Sequence, residues 1–258
     1  MNKLDKVKRI VIQKTLKLDC GKSISNFPIA YETYGRLNEN KDNAILVFHA
    51  LTGDQFASGV NPVTNKEGWW SYAVGSGKAI DTNKYFVICA NVLGGCMGSY
   101  GPSDINPENK KIFGTDFPVI TINDMVNAQY ELLAHLKIEK LFSVIGGSMG
   151  GMQVLQFISN FPDKSHTAIP IACTASHSAQ NIALNELGRQ SIMADSDWQN
   201  GFYEEKINLL QRDCLLLGWR HILRIYPKKV YRKNLEGNFK KEMTLNLALM
   251  QIFKLKAI

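Results

Sequence analysis

At 258 residues, 45% hydrophobic and 21% charged, the chain has the composition of an ordinary globular protein and can build one sizeable core, with or without a small appendage. The net charge of +7 points toward a polyanion, but residues 1–216 carry 20 Lys+Arg against 21 Asp+Glu and residues 217–258 carry 10 against 2, so the globular part has no electrostatic footprint for nucleic acid. The apolar runs are too short to span a membrane and the first residues lack the pattern of a signal peptide; five scattered cysteines (Cys20, Cys89, Cys96, Cys173, Cys214) without C-x-x-C spacing argue against a disulfide framework or a zinc site and fit a reducing cytoplasm.

Residues 10–18 and 28–35 alternate apolar and polar, which predicts two antiparallel strands at a sheet edge. Residues 37–43 form a polar turn. Ala44 to Phe48 is a continuous apolar run, as in a central strand buried on both faces, and it leads into His49-Ala-Leu-Thr-Gly-Asp54. Residues 55–78, with Trp69, Trp70 and several glycines, read as loop plus a short helix. Tyr85 to Asn91 is a further buried strand, and Val92 to Pro118 is a long irregular segment of the kind that carries function. Thr121 to Leu136 is an amphipathic helix with Met125, Ala128, Leu132 and Leu136 on one face and a capping box between Thr121 and Asp124. His166 to Ala172 is another strand, Ser178 to Met193 a helix, and residues 194–216 a further helical stretch. Strands alternating with helices predict an α/β fold with a mostly parallel sheet.

The most informative stretch is Leu141 to Phe161. An apolar strand pattern meets Gly146-Gly-Ser-Met-Gly-Gly151, and a helical pattern follows from Met152. Gly-x-Ser-x-Gly between a strand and a helix is a nucleophile elbow: the glycines allow close backbone approach and the strained turn presents the Ser148 hydroxyl beside a helix N-terminus. A phosphate loop would need Gly-Lys-Ser/Thr, which is absent here. A serine nucleophile needs an oxyanion hole, a base and a group that orients the base. In folds built on such an elbow the hole uses the amide after the nucleophile, here Met149, and one from the loop after an earlier strand, here Leu51.

His49 to Asp54, Asn91-Val-Leu-Gly-Gly-Cys-Met-Gly-Ser99, Gly101-Pro102, Gly146 to Gln153, Ser178 to Glu186 and Gly188-Arg-Gln190 together resemble the homoserine O-acyltransferase family, over residues 10–216. The resemblance implies an α/β-hydrolase core over residues 1–175, the start of a helical lid over 176–216 and an atypical basic tail over 217–258. It implies acyl transfer from an acyl-CoA, with acetyl-CoA the donor expected, to L-homoserine through a Ser148 acyl-enzyme, in methionine biosynthesis. CoA is then a substrate, and no metal or bound cofactor is required. A homodimer is implied as well; a cytoplasmic location and the absence of nucleic-acid and membrane partners are expected from the cysteines, the charge and the apolar runs. An esterase or thioesterase of the same fold and a non-catalytic remnant are the alternatives.

The family's catalytic aspartate and histidine lie beyond every position matched here, so the chain reads as C-terminally truncated, with part of the core missing, an apolar sheet edge exposed and turnover impaired. Of His49, His135, His166, His177 and His221, only His177 is placed to substitute as base. The family's substrate-binding arginine is not matched. Leu217 to Lys229 resembles a one-nucleotide frame slip of the family's sequence, which reading the coding DNA would settle. The alternative for the tail is a basic amphipathic helix carrying Leu245, Leu249, Ile252 and Leu255.

Overall fold

The structure is a computed structural model and describes residues 3–194 together with Trp198 and Gly201. The expectations for residues 195–216, for His221 and for the basic tail lie outside these residues. The chain divides into two compact units, Met1–Ser176 and His177–Ile258. In the first unit β1 (Arg9–Lys17), β2 (Ser23–Tyr34), β3 (Ala44–Phe48), β4 (Val74–Gly75), β5 (Ile80–Asp81), β6 (Phe86–Ala90), α1 (Ile122–His135), β7 (Leu141–Gly147), α2 (Met149–Asn160) and β8 (Ser165–Ile171) follow in order; α3 (Ala179–Met193) belongs to the second.

The main sheet has the order β1-β2-β6-β3-β7-β8. The β1–β2 and β2–β6 pairs are antiparallel, and β6, β3, β7 and β8 run parallel. The two alternating segments thus form the edge, and the continuous apolar runs form the interior. Every residue of β3 is buried, because each of its faces meets a different layer. Leu46 and Phe48 point into a core shared with Val126 and Leu132 of α1 and Val154 and Phe157 of α2. Ile45 and Val47 point the other way, onto Ala57, Trp70, Val74 and Ile80. Both layers follow from the period of two along a strand.

That second layer corrects the expected short helix within residues 55–78. The segment is a succession of turns ending in the two-residue β4–β5 pair, with no helix in it. Gly59 and Gly77 hold φ of 71° and 68°, and Gly68 packs so closely that a Cβ would lie 2.6 Å from the Ser58 backbone. These turns lay the apolar side chains on the sheet where a helix would otherwise sit.

Helix α1 begins as expected: the Thr121 side chain accepts from the Asp124 amide, and the Asp124 carboxylate accepts from the Thr121 amide. Its buried stripe is rotated from the expected one. Val126, Ala128, Gln129, Leu132 and Leu133 are buried, while Met125 and Leu136 are only partly so. The helix packs against both β1 and α2, and this twofold contact moves the buried face.

The chain leaves β3 toward β6 on one side and later enters β7 on the other. The carboxyl ends of β3 and β7 therefore flank the point where strand order reverses, which is where open parallel sheets bind ligands. Among the described residues β8 is the outer strand, and its Ile169 is 44% exposed. No helix among the described residues is long and apolar enough to cross a membrane.

Candidate active site

Ser148 is the single residue between the end of β7 and the start of α2, with φ 56° and ψ −121°. A residue with a Cβ adopts such a conformation only where the surroundings impose it, at a cost of about 1–3 kcal/mol. Here they do. The Ser148 amide donates to the Ile171 carbonyl at 3.0 Å, and the Ser148 carbonyl accepts from Met152 at 3.1 Å. Close contacts complete the grip. A Cβ on Gly150 would lie 2.1 Å from the Phe48 carbonyl oxygen, one on Gly146 2.5 Å from the Gly150 carbonyl, and one on Gly151 2.7 Å from the Cys173 side chain. Only Gly147 has room, with its nearest neighbour at 4.0 Å. Ser148 is exposed, and its hydroxyl makes no capping bond to α2, so the group is not consumed in holding the turn together.

The exit of β3 lies against this turn. Phe48 pairs with Gly146 across the sheet, and Gly150 abuts the Phe48 and His49 carbonyls. Leu51 is in that exit, its side chain half exposed. The carbonyl of Ala50 accepts from the Gly53 amide at 2.9 Å and from His49 Nδ1 at 2.7 Å. This carbonyl and the Leu51 N–H belong to one planar trans peptide, so two hydrogen bonds gripping the oxygen turn the N–H the opposite way. Met149 opens α2, and an amide at that position has no acceptor within its own helix. The structure therefore brings the Leu51 and Met149 segments together at the strand ends.

His49 is the site residue whose role the sequence conceals. It is 1% exposed. Nδ1–H donates to Ala50, and Nε2 accepts from the Val92 amide at 3.1 Å. These two bonds fix one neutral tautomer and join the exit of β3 to the start of the long loop after β6. That loop is anchored further by Asn91, whose Oδ1 accepts from the Met97 amide at 3.1 Å, and by Ser99, whose hydroxyl donates to the Asn91 carbonyl at 2.6 Å. Burial lowers the His49 pKa to about 4, against the raising effect of its bond to Ala50. In the unfolded chain a histidine protonates near pH 6.5, so between pH 6.5 and about 4 the unfolded state binds the extra proton. The His49 contribution is complete above that window and is lost as pH falls through it, by up to about 3 kcal/mol. In urea titrations at pH 7 and pH 4.5, His49→Gln is expected to flatten this part of the pH dependence; a slope equal to that of the unsubstituted chain would remove the assignment.

Within the first unit, the other histidines lie away from Ser148. His166 is the second residue of β8, at the Leu141 end of β7, so it lies at the opposite end of the strands from Ser148. His135 is exposed in the last turn of α1. His177 is exposed and opens the second unit. Among the described residues no imidazole or carboxylate hydrogen-bonds the Ser148 hydroxyl.

A strained serine carried from a parallel strand into a helix, at the reversal point of the sheet, defines an α/β protein with a nucleophile elbow. Residues 43–214 match the model of the alpha/beta hydrolase fold family, and the chain belongs to that family. It is 76% identical over 200 residues to homoserine O-acetyltransferase of Pelagibacter ubique (strain HTCC1062), an alignment covering 78% of this chain and 54% of that protein. Among solved structures, homoserine O-acetyltransferase from Bacillus anthracis superposes with a TM-score of 0.75 at 30% identity, covering 85% of this chain and 60% of that one. Esterase E22 superposes with a TM-score of 0.72 at 35% identity, covering 82% and 60%. The chain spans about half the length of the curated relatives it matches, 54% and 48% for the first two.

Proposed function

We propose that Ser148 is the nucleophile of an acyltransferase that moves an acetyl group from acetyl-CoA to the hydroxyl of L-homoserine, in methionine biosynthesis. The observation that carries the reading is the Ser148 backbone, a strained turn that leaves a free hydroxyl at the head of α2. The 76% identity to a homoserine O-acetyltransferase supports the choice of substrates. Ser148 Oγ attacks the thioester carbonyl, its proton passing to a base, and the carbonyl oxygen becomes an oxyanion held by the Leu51 and Met149 amides. The intermediate collapses with cleavage of the C–S bond, releasing CoA and leaving acetyl-Ser148. The homoserine hydroxyl then gives its proton to the base and attacks the ester carbonyl; the bond from the acyl carbon to Ser148 Oγ breaks, Oγ takes the proton back, and O-acetyl-L-homoserine leaves. By the family resemblance, the base and the carboxylate that orients it lie beyond the residues matched here. No resident metal or organic cofactor takes part, since CoA enters and leaves as a substrate. A homodimer accompanies this reading and rests on the family resemblance, while a cytoplasmic location without nucleic-acid or membrane partners rests on the cysteine pattern, the charge distribution and the short apolar runs.

Ester hydrolysis is the second reading, favoured by the superposition on esterase E22. Water then takes the place of homoserine in the second step. CoA release from acetyl-CoA, measured with and without L-homoserine, separates the two. Release that depends on homoserine and is lost in Ser148→Ala is the expected result. Release independent of homoserine supports hydrolysis. A single stoichiometric burst, or no release with acetyl-CoA or succinyl-CoA, supports the non-catalytic remnant, and a sustained release unchanged in Ser148→Ala would overturn both enzyme readings.

A further inference from the structure

Two glutamines lie buried behind the elbow. Gln153 is one turn into α2 and 0% exposed; Gln129 is on α1 and 1% exposed. A primary amide without access to water is costly unless it is paired, and leucine would fill much of the same space without that requirement. Gln129 Nε2 donates to Gln153 Oε1 at 2.8 Å. Gln153 Nε2 donates to the His49 carbonyl at 3.3 Å and to the Met149 carbonyl at 3.4 Å. One amide nitrogen thus bridges the exit of β3 and the first turn of α2. These segments carry the Leu51 and Met149 amides.

The direction of the Gln153 amide is determined by its partners. Turned over, it would set its oxygen against two carbonyl oxygens and its NH2 against the Gln129 donor. Gln129 makes this bond although its own buried Oε1 has no partner among the described residues. Packing alone does not call for such a pair.

We propose that Gln153 is a positioning residue for the oxyanion hole. It sets the separation of the Leu51 and Met149 amides, and Gln129 holds its amide in the productive direction. The proposal rests on the reading of Ser148 as nucleophile and of those two amides as its oxyanion donors. Gln153 itself touches neither substrate nor the reacting atoms.

Rapid mixing of the full chain with p-nitrophenyl acetate tests it. The dependence of p-nitrophenol release on ester concentration separates the acylation rate constant from the dissociation constant, and mass spectrometry locates the acetyl group. Gln153→Leu is expected to lower the acylation constant about 10-fold or more while leaving the dissociation constant within about twofold, because the hole acts on the oxyanion and not on the bound ester. Gln153→Glu, which presents a carboxylate to the same two carbonyls, is expected to fall as far. Gln129→Leu is expected to show a smaller drop of the same kind. An unchanged acylation constant in folded Gln153→Leu, or a loss confined to the dissociation constant, overturns the positioning role alone. If Gln153→Leu does not fold, an unchanged constant in folded Gln129→Leu does so instead. An unsubstituted chain that takes no acetyl group on Ser148 overturns the nucleophile reading and this proposal with it.

Discussion

Ser148→Ala removes acyl-enzyme formation and leaves the chain as stable as before, whereas Ser148→Gly removes it and makes the chain more stable. Both substitutions delete the only hydroxyl at the elbow, and loss of a nucleophile lowers turnover by about a thousandfold or more. Their effects on stability differ for a backbone reason. At φ 56° and ψ −121° the cost falls on any residue with a Cβ, so alanine inherits it and glycine escapes it. Relief of about 1–3 kcal/mol of strain exceeds the roughly 0.5–1 kcal/mol that glycine adds to the entropy of the unfolded chain. A net gain of about 1 kcal/mol is expected for Ser148→Gly. Urea unfolding of the three proteins measures it, and equal midpoints for the glycine and alanine variants would remove the claim of strain. Strain kept at a position whose side chain makes no structural bond is itself a sign that the position serves chemistry.

Gly150→Ala is expected to cost about 3 kcal/mol or more, a large share of the roughly 5–15 kcal/mol that holds a typical domain. The new Cβ would lie 2.1 Å from the Phe48 carbonyl oxygen and 2.8 Å from its carbon, both backbone atoms. Phe48 ends a fully buried strand fixed between β6 and β7, so it cannot retreat. Helix α2 has to move instead, and the Met149 amide moves with it. Gly147→Ala is the control: its Cβ would meet nothing nearer than 4.0 Å, and a change within about 0.5 kcal/mol is expected. Two alanines three residues apart in one motif should thus behave oppositely in the same urea titration. A Gly150→Ala variant as stable as Gly147→Ala would show that α2 does not need its close approach to β3.

Most of the fold is legible in the sequence because its signals are local. The buried strands β3, β6 and β7 are continuous apolar runs, the edge strands alternate, and Thr121 with Asp124 marks the start of α1 three residues apart. The elbow is also local: Gly146, Ser148 and Gly150 span five residues, and the strand before and the helix after them are readable in the same window. The expected helix within residues 55–78 failed because its apolar residues serve one sheet face through a string of glycine turns, and apolar content alone does not separate that from a helix. The stripe on α1 was misjudged because the packing of α1 against both β1 and α2 is invisible along the helix itself.

The sequence by itself determined that this is an α/β protein with a serine at a strand-to-helix turn, since spacing within a few residues encodes both facts. Only the tertiary structure decided what holds that serine's surroundings in place. His49 reaches Val92 across 43 positions, and Gln153 reaches the His49 carbonyl across 104. A histidine after a strand and a glutamine on a helix carry no local mark of such a role. Their function arises when the sheet brings the ends of β3 and β7 side by side and burial leaves each polar group only the partners within its reach.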